Sequence, residues 1–235
     1  MNKSSVEQIR QRFDADVERF SNLETGQTAS IDSPLCLELV SEAAATVTPN
    51  AHTLLDIGCG AGNYALKLLE RLPGLNVTLI DLSRPMLDRA NERVSAKTNG
   101  MVQTVQGDIR QIELGANQFD VILAAQVLHH LRADTEWESV FAKLYQALTP
   151  GGSLWIVDQT LHSTEPVQTM MQARYAEYLR GIGGEAYQEK VFAYIEQEDT
   201  PRPLLYQTDL LKRVGFSQIE VLHKHNRTAA FGAIK

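Results

Sequence analysis

A glycine-rich loop is the first segment of the sequence whose residue types could bind a charged ligand. Residues 56–62 read Asp-Ile-Gly-Cys-Gly-Ala-Gly and stand between an apolar run and a segment with helical spacing. Glycines at such a junction let the backbone turn sharply and approach a ligand closely, while the first N–H groups of the helix face it. An ordinary strand-to-helix turn would look similar. Because ligands bind at the carboxyl ends of the strands in an α/β unit, the position of the loop favours a binding role.

The spacing of the glycines distinguishes two classes of cofactor. Dinucleotide-binding loops follow G-x-G-x-x-G, whereas Gly58, Gly60 and Gly62 give G-x-G-x-G. Asp81 lies 23 residues after Gly58, at the end of the second predicted strand. A carboxylate there can accept both hydroxyls of a ribose, a contact that nicotinamide and adenosyl-sulfonium cofactors both need. Capping of the next helix is the alternative role, for which Ser83 is better placed.

Another carboxylate follows the third predicted strand. Asp108 lies in the segment QGDIRQI, 27 residues beyond Asp81. A carboxylate at this strand end can accept a hydrogen bond from the amino group of adenine, while Ile109 packs on the face of the ring. Taken alone, Asp108 would fit an exposed aspartate in a turn at least as well.

Two adjacent histidines follow the fourth predicted strand. A histidine at the mouth of the expected site can act as a general base near neutral pH, and His130 is the candidate, with Tyr175 or Asp158 as alternatives. A residue at the start of a helix that only packs or bonds locally is the competing interpretation. Since neighbours in a helix diverge and no set of carboxylates and histidines converges along the sequence, we predict no metal site around His129 and His130.

The elements that position these residues are short apolar runs that alternate with helical segments from Thr53 onward. The runs TLLDI, VTLI, VILAA and LWIV are nearly continuous, as expected of strands buried on both faces. Strands alternating with helices predict βαβ units and a parallel sheet. We therefore predict a doubly wound α/β fold, with a seven-stranded and mostly parallel sheet, in a single domain over residues 1–235.

Two segments lie outside this alternation. Residues 1–48 form a predicted N-terminal helical cap, with an amphipathic helix over 4–20 and a second helix from Pro34 to Val47. Residues 161–206 form a predicted helical insertion before the last two strands, and they hold five of the seven tyrosines. These aromatics fit either a satellite core or a lid over a substrate. The lid hypothesis places three of them in a substrate pocket: Tyr175, Tyr178 and Tyr194.

The composition excludes several classes of protein. The chain has 235 residues, 43% of them hydrophobic and 22% charged, which is not the composition of a disordered or low-complexity protein. The net charge of −7 disfavours a nucleic-acid partner, because proteins that neutralise phosphates are normally basic. Two cysteines are too few for a disulfide framework, and no apolar run approaches the roughly 18 residues of a membrane span. These features predict a cytoplasmic protein that acts away from membranes.

The motifs, in their order, resemble those of class I S-adenosylmethionine-dependent methyltransferases. The similar segments are LLDIGCGAGNYAL, VTLIDLSRPML, VQGDIRQI, FDVILAAQVLHHL and LTPGGSLWIVD. The resemblance implies a sheet whose last strand is antiparallel and a site for S-adenosylmethionine. It assigns the methionine end of the cofactor to Asp56, Gly58, Cys59 and Gly60, the ribose to Asp81 and Leu82, the adenine to Asp108 and Ile109, and the remaining contacts to the backbone around Ala125.

One subfamily shares further segments with the chain. GDIRQI, KLYQALTPGG, LLKRVGF and TAAFGAIK are similar to carboxy-S-adenosylmethionine synthases of the tRNA wobble-uridine pathway, which remodel the cofactor with prephenate. The arginine that holds the carboxylate in those enzymes corresponds to Leu210, with Leu211 beside it. An apolar side chain cannot pair with a carboxylate. The sequence therefore favours methyl transfer to a small-molecule acceptor. A carboxy-S-adenosylmethionine synthase, a nicotinamide oxidoreductase and a non-catalytic binding module stay open as alternatives.

Overall fold

The computed structural model describes residues 3–22 and 27–235. Residues 1–2 and 23–26 of the predicted N-terminal cap lie outside this range. The helices are α1 Val6–Ala15, α2 Val17–Ser21, α3 Ser33–Val47, α4 Asn63–Leu69, α5 Arg84–Ser95, α6 Asp134–Ala147, α7 Glu165–Glu198 and α8 Leu204–Val214. The strands are β1 Thr53–Ile57, β2 Asn76–Asp81, β3 Val102–Gln106, β4 Phe119–Ala125, β5 Leu148–Gln159, β6 Gln218–His225 and β7 Thr228–Ile234.

The strands form one seven-stranded sheet in the order β3-β2-β1-β4-β5-β7-β6. All pairs from β3 to β5 are parallel, and β7 runs antiparallel to both β5 and β6. The predicted fold class, including the antiparallel last strand, is confirmed. Because β7 runs opposite to β5, the turn between β6 and β7 lies at the same edge of the sheet as the carboxyl ends of the parallel strands.

Apolar cores cover both faces of the sheet. One core joins side chains of α6 and α8 to the sheet, and the other joins side chains of α3, α4 and α5 to its opposite face. Successive residues of β1 alternate between the two, since Leu54 belongs to one core and Leu55 to the other. This alternation follows from the two-residue period of a strand, and it explains the continuous apolar runs in the sequence.

The helices outside the alternation differ in detail from the prediction. The helix predicted over 4–20 is interrupted at Asp16, whose φ of −109° and ψ of 13° leave the helical region. The predicted helical insertion contains α7, whose two arms meet at a bend where Gly183 and Gly184 leave helical geometry. Gly184 has a φ of 77°, a conformation that glycine adopts readily. Within the described residues, no helix is long and apolar enough to cross a membrane.

Candidate functional site

The glycine-rich loop between β1 and α4 has the backbone geometry of a ligand cradle. Gly58 has a φ of +62°, and a Cβ placed on it would lie 2.6 Å from Cγ2 of Val127. Gly60 has a φ of +50°, and a Cβ placed there would meet no atom within 4 Å. The first glycine is required for close packing, whereas the second leaves its backbone open to the cleft. This open cradle fits the close approach of a cofactor that the sequence predicts.

Asp81 at the end of β2 is hydrogen-bonded to the glycine-rich loop and faces the same cleft. Its Oδ2 accepts a hydrogen bond from the Gly60 N–H at 2.9 Å, and its Oδ1 accepts one from the Ser83 N–H at 2.8 Å. Burial raises the pKa of Asp81 to about 6. The side chain is therefore ionised at neutral pH and keeps lone pairs for a ligand hydroxyl. Ser83 caps α5 through its own hydroxyl, as predicted.

The cleft around this loop, which we call the cofactor cleft after the predicted cofactor, has an empty volume of about 1020 Å³ when the open space at its mouth is included. It is lined by seven of the predicted cofactor residues and by the backbone expected to complete the site: Gly58, Cys59, Gly60, Asp81, Leu82, Asp108, Ile109 and Ala125. Burial raises the pKa of the Cys59 thiol well above its ordinary value, so that this residue packs and does not act as a nucleophile.

Asp56 departs from the prediction. It does not line the cleft, because its side chain is buried beneath the loop, where Oδ2 accepts a hydrogen bond from the Ala65 N–H at 3.2 Å. Burial raises the pKa of Asp56 to about 7. The residue therefore holds the start of α4 against β1. A direct contact between Asp56 and a cofactor is not part of this arrangement.

Asp108 lines the cleft in an ion pair that the sequence analysis missed. The Arg110 guanidinium donates to both carboxylate oxygens, with Nε 2.9 Å from Oδ1 and Nη2 2.5 Å from Oδ2. Burial opposes the charged form of Asp108, but the hydrogen bonds from Arg110 leave the pKa of the carboxyl below its ordinary value. Arg110 is also paired with Glu136 of α6 at 3.1 Å. Asp108 is thus held ionised and oriented at the edge of the cleft.

The N-terminal helices form the outer wall of the cleft. Apolar side chains of α1 and α2 line it, namely Val6, Ile9, Phe13 and Phe20. The wall is attached to the glycine loop by Asn63, whose Nδ2 donates to the Phe20 carbonyl oxygen at 2.8 Å. The amphipathic pattern of the first helix thus corresponds to a face turned towards the cofactor cleft.

A second cavity, with an empty volume of about 1460 Å³, adjoins the cofactor cleft. We call it the acceptor cavity, after the methyl acceptor that the sequence analysis predicts. Both spaces share five lining residues, Phe13, Phe20, Gln27, Gln126 and His130. Residues of α7 form one wall of the acceptor cavity. A group bound in one space can therefore meet a group bound in the other at this shared boundary.

The three tyrosines predicted to reach a substrate pocket have different positions. Tyr175 and Tyr194 line the acceptor cavity, and Tyr178 does not. The Tyr178 hydroxyl donates to the Thr28 carbonyl oxygen at 2.8 Å on the surface. Tyr175 is 4% exposed, stacks on Phe192, and donates its hydroxyl to a backbone carbonyl. Tyr175 is thus a wall of this cavity and also a member of a small buried core.

His130 lies at the boundary between the two cavities. Its Nδ1 is 3.4 Å from the Glu198 carbonyl oxygen, which can only accept, so the proton of the neutral ring belongs on Nδ1. Its Nε2 is buried and has no hydrogen-bond partner among the described residues. Burial, followed by the neighbouring His129 ring, lowers the pKa of His130 well below its ordinary value. His130 thus presents a lone pair at neutral pH, although as a weak base.

The neighbouring His129 belongs to a buried charge network. Its Nδ1 lies 2.5 Å from Oδ1 of Asp158, and its Nε2 lies 3.6 Å from Oδ1 of Asp199. Burial opposes a charge on this ring, but the two carboxylates raise the pKa of His129 above its ordinary value. The expectation that no carboxylate converges on the histidine pair was wrong. Asp199 arrives from the far end of α7, a long-range contact that spacing in the sequence does not indicate.

Two groups of side chains bring possible metal ligands together. The ligand atoms of His129, His130 and Asp199 lie within 4.8 Å of one another, as do those of Asp32, His223 and His225. In the second group, one oxygen of Asp32 lies 3.0 Å from Nε2 of His223 and 2.7 Å from Nδ1 of His225. These contacts are hydrogen bonds that attach the segment before α3 to β6.

Gln126 is a further residue of the boundary whose side chain sequence reasoning did not single out. It has a φ of 54°, a left-handed conformation that is uncommon outside glycine, and its N–H donates to the Val157 carbonyl oxygen at 2.7 Å. Its Nε2 is buried without a hydrogen-bond partner among the described residues. Because an unpaired buried amide is costly, this group fits a hydrogen bond to a ligand. The strained backbone and the free amide lie at the point where the two cavities meet.

Comparison with known proteins assigns the family. A family described as a methyltransferase domain matches residues 54–152. The carboxy-S-adenosyl-L-methionine synthase of Shewanella pealeana is 30% identical over 192 residues, which cover 80% of this chain and 77% of that protein. The chain belongs to the S-adenosylmethionine-dependent methyltransferase family. The predicted enzyme class and the predicted cofactor, S-adenosylmethionine, are confirmed at this level, and the nicotinamide alternative is dropped.

Solved structures of the family share the fold. The Haemonchus contortus phosphoethanolamine N-methyltransferase 2, solved with phosphomonomethylethanolamine and S-adenosylhomocysteine, superposes with a TM-score of 0.68 at 19% identity, covering 99% of this chain and 61% of that one. Human N-acetylserotonin methyltransferase with S-adenosylmethionine gives a TM-score of 0.65 at 17% identity, with coverages of 99% and 59%. The chain thus spans about three fifths of these two methyltransferases. At this identity the likeness concerns the fold alone.

Proposed function

We propose that the protein transfers a methyl group from S-adenosylmethionine to a small-molecule acceptor. The observation that carries the proposal is the direct junction of the two cavities at Gln126 and His130. One cavity has the glycine cradle and Asp81, the carboxylate that we expect to bind the ribose. The other is lined by tyrosines and closed by α7 and the N-terminal helices, a shape that suits a small molecule better than a polymer.

Different residues of the cofactor cleft would bind different parts of the cofactor. Asp81 would accept the ribose hydroxyls, Asp108 and Ile109 would hold the adenine, and the backbone at Gly58 and Gly60 would border the methionine end. S-adenosylmethionine, when bound, supplies an electrophilic methyl group. The protein then has to align the acceptor with that group and exclude water. Phe13 and Phe20 are the apolar side chains that close the boundary against solvent.

His130 is our candidate for receiving a proton from the acceptor. Its Nε2 lone pair is buried at the boundary and unpaired. The low pKa of the ring limits this role to an acceptor whose proton becomes acidic as the new bond forms. Tyr175 is less suited, because burial raises the pKa of its hydroxyl and the hydroxyl proton is donated to Ala29. Asp158 is also less suited, since both of its oxygens bind His129.

Synthesis of carboxy-S-adenosylmethionine is the second candidate function, and the similarity to synthases from Shewanella species favours it. The positions of Leu210 and Leu211 argue against this second function. Both are fully buried in the core between α6, α8 and the sheet, away from both cavities. This helix therefore supplies no arginine for a carboxylate on the cofactor.

A labelling experiment tests the choice. The purified protein is incubated with S-adenosylmethionine carrying a trideuterated methyl group and with a small-molecule extract, and products are read by mass spectrometry. We expect a trideuteromethylated product that is absent with Asp81→Ala. The mass of the cofactor retained by the protein is measured in parallel. A retained cofactor that carries an additional carboxylate, together with no methylated product, would establish the second function instead.

A further inference from the structure

The acceptor cavity contains a buried arginine, Arg227, at the turn between β6 and β7. Arg227 is 7% exposed and is one of the residues that line the cavity. Nη2 donates to Oε1 of Gln159 at 2.8 Å, while Nε is buried and has no partner among the described residues. A buried guanidinium donor without an acceptor is costly, because its hydrogen bonds to water are lost on folding. This cost would be removed by an acceptor oxygen that a ligand brings.

The carboxylate of Asp199 makes no direct ion pair with this guanidinium. Asp199 is reached only through the amide of Gln159, whose Nε2 donates to Oδ2 of Asp199 at 3.0 Å while its Oε1 accepts from Arg227. Gln159 thereby fixes one edge of the guanidinium and leaves the other donors free. The guanidinium carbon lies over the ring of Tyr175, 5.3 Å from the ring centroid. The arginine is held in place, with hydrogen-bonding capacity to spare.

The charges around the acceptor cavity also favour a ligand that brings acceptor oxygens. Four of its lining side chains are cationic, Arg12, Arg19, Lys190 and Arg227, and one is anionic, Asp16. Two of these cations are paired, since Arg12 binds Glu198 and Arg19 binds Asp16. Arg227 and Lys190 make no ion pair with a described residue. A cationic lining inside a protein of net charge −7 selects for a negatively charged ligand.

We propose that Arg227 binds an anionic group, a carboxylate or a phosphate, on the methyl acceptor. The inference rests on the proposed function and names the chemical class of its substrate. The planar fork of a guanidinium matches the two oxygens of such a group, which a lysine does not. An acceptor anchored at Arg227 would extend past Tyr175 and Tyr194 towards Gln126 and His130, where the cofactor cleft begins.

Three simple probes test the anion site without knowledge of the natural acceptor. Benzoate, phenyl phosphate and benzamide share an aromatic ring for the tyrosine-lined cavity and differ in charge. Their affinities are measured by calorimetry on protein loaded with S-adenosylhomocysteine. We expect the wild-type protein to bind one or both anions about tenfold or more tightly than benzamide, as a charge-assisted hydrogen-bonded pair implies. The two anion arms tell a carboxylate acceptor from a phosphate acceptor.

Two variants assign the preference to Arg227. Arg227→Gln should bind the anions as weakly as benzamide, and Arg227→Lys should keep only part of the preference. Arg213→Gln, an exposed arginine of α8 outside both cavities, is the matched control and should behave as wild type. The affinity for S-adenosylhomocysteine should be unchanged in all three variants, because Arg227 and Arg213 do not line the cofactor cleft.

The outcomes separate the inference from the proposed function. Equal binding of the three probes by the wild-type protein, or no binding of any, overturns the anion site even if Arg227→Gln does not fold. A preference that survives in Arg227→Gln also overturns it. In these cases S-adenosylhomocysteine binding and trideuteromethyl transfer persist. Loss of those two activities in the wild-type protein would instead refute methyl transfer.

Discussion

The guanidinium of Arg12 binds the carboxylate of Glu198 with two parallel hydrogen bonds. Nε donates to Oε1 at 3.0 Å, and Nη2 donates to Oε2 at 2.7 Å. Arg12 belongs to α1, which walls the cofactor cleft, and Glu198 is the last residue of α7, which walls the acceptor cavity. One ion pair thus joins the covers of both cavities. The Tyr194 hydroxyl also accepts a hydrogen bond from Arg12, at 2.8 Å.

We predict that this pair couples closure of the two cavities. In a double-mutant cycle of Arg12→Gln and Glu198→Gln, the coupling free energy of unfolding should be on the order of 1–2 kcal/mol, because the pair is bidentate and Glu198 is buried. The exposed pair Arg213–Glu138 is the control and should give no more than about 0.5 kcal/mol. Hydrogen exchange should also fall across residues 4–30 when S-adenosylmethionine is added to the wild-type protein, and less so in Arg12→Gln. Exchange that is unaffected by the cofactor would leave α1 with a purely structural role.

The parts of this arrangement that the sequence predicts are those set by local periodicity. Continuous apolar runs identify the strands of a doubly covered sheet, and the glycine loop and Asp81 follow from their positions at strand ends. The missed residues depend on long-range geometry. Asp199 reaches His129 only because α7 bends at its two glycines and returns to the sheet. Arg227 stands in a polar hairpin turn, which from sequence alone indicates exposure to solvent.

The sequence nevertheless contains one indication that Arg227 lies at the site. The resemblance to the methyltransferase family implies that the last strand, β7, is antiparallel to the parallel strands. Its hairpin partner β6 then runs in the same direction as those strands and ends at the same edge of the sheet. The turn between β6 and β7 then falls at the ligand-binding edge, beside the end of β5, where Thr228 pairs with Gln159. Topology, and not residue type, therefore makes this turn part of the site. The same reasoning applies to any polar residue in a turn that an antiparallel strand carries to this edge.

Asp81 should control cofactor affinity and its dependence on pH. Two lost charge-assisted hydrogen bonds, each worth about 1.5–3 kcal/mol, should weaken S-adenosylhomocysteine binding at least about a hundredfold in Asp81→Ala. In the wild-type protein, affinity should fall as the pH drops below about 6, where Asp81 becomes protonated. Asp81→Asn should show the low affinity at all these pH values. Titration calorimetry between pH 5 and pH 8 measures both effects, and equal affinity of the folded Asp81→Ala protein would refute the ribose assignment.

Tyr175 should matter more for stability than its position in the wall of the acceptor cavity suggests. Because the side chain is buried against Ile31 and Leu179, Tyr175→Ala should cost about 3–5 kcal/mol of unfolding free energy. Tyr175→Phe removes only the hydrogen bond to Ala29, so its cost should be about 0.5–1.5 kcal/mol. The half-exposed Tyr178 offers the matched control, since Tyr178→Phe breaks a similar bond at the surface. Chemical denaturation measures all three, and a small cost for Tyr175→Ala would restore the view of a loosely packed lid.

The buried carboxyl of Asp56 should destabilise the protein as the pH rises. Burial raises its pKa to about 7 in the folded protein, whereas an unfolded aspartate has its ordinary value near 3.8. Between these values the folded state binds the proton more tightly, so the free energy of unfolding falls with increasing pH. Asp56→Asn keeps an oxygen for the Ala65 N–H and removes this ionisation. The variant should therefore be more stable than wild type at pH 8, on the order of 1–3 kcal/mol, and the gain should shrink towards pH 4.

Asp120 provides the opposite case in the same sheet. Burial opposes its ionisation, but hydrogen bonds from His52, Thr53 and Thr149 leave the pKa of Asp120 below its ordinary value. A lowered folded-state pKa contributes stability above the unfolded value, and that stability is lost as the pH falls through the folded one. Asp120→Asn should accordingly be less stable than wild type at pH 8, while Asp56→Asn is more stable. Urea denaturation of both variants from pH 4 to pH 8, without cofactor, measures the two differences. A stability difference for Asp56→Asn that stays constant over this range would show that Asp56 does not titrate in the folded protein. Opposite slopes for the two variants would locate the pH dependence in these two carboxyls.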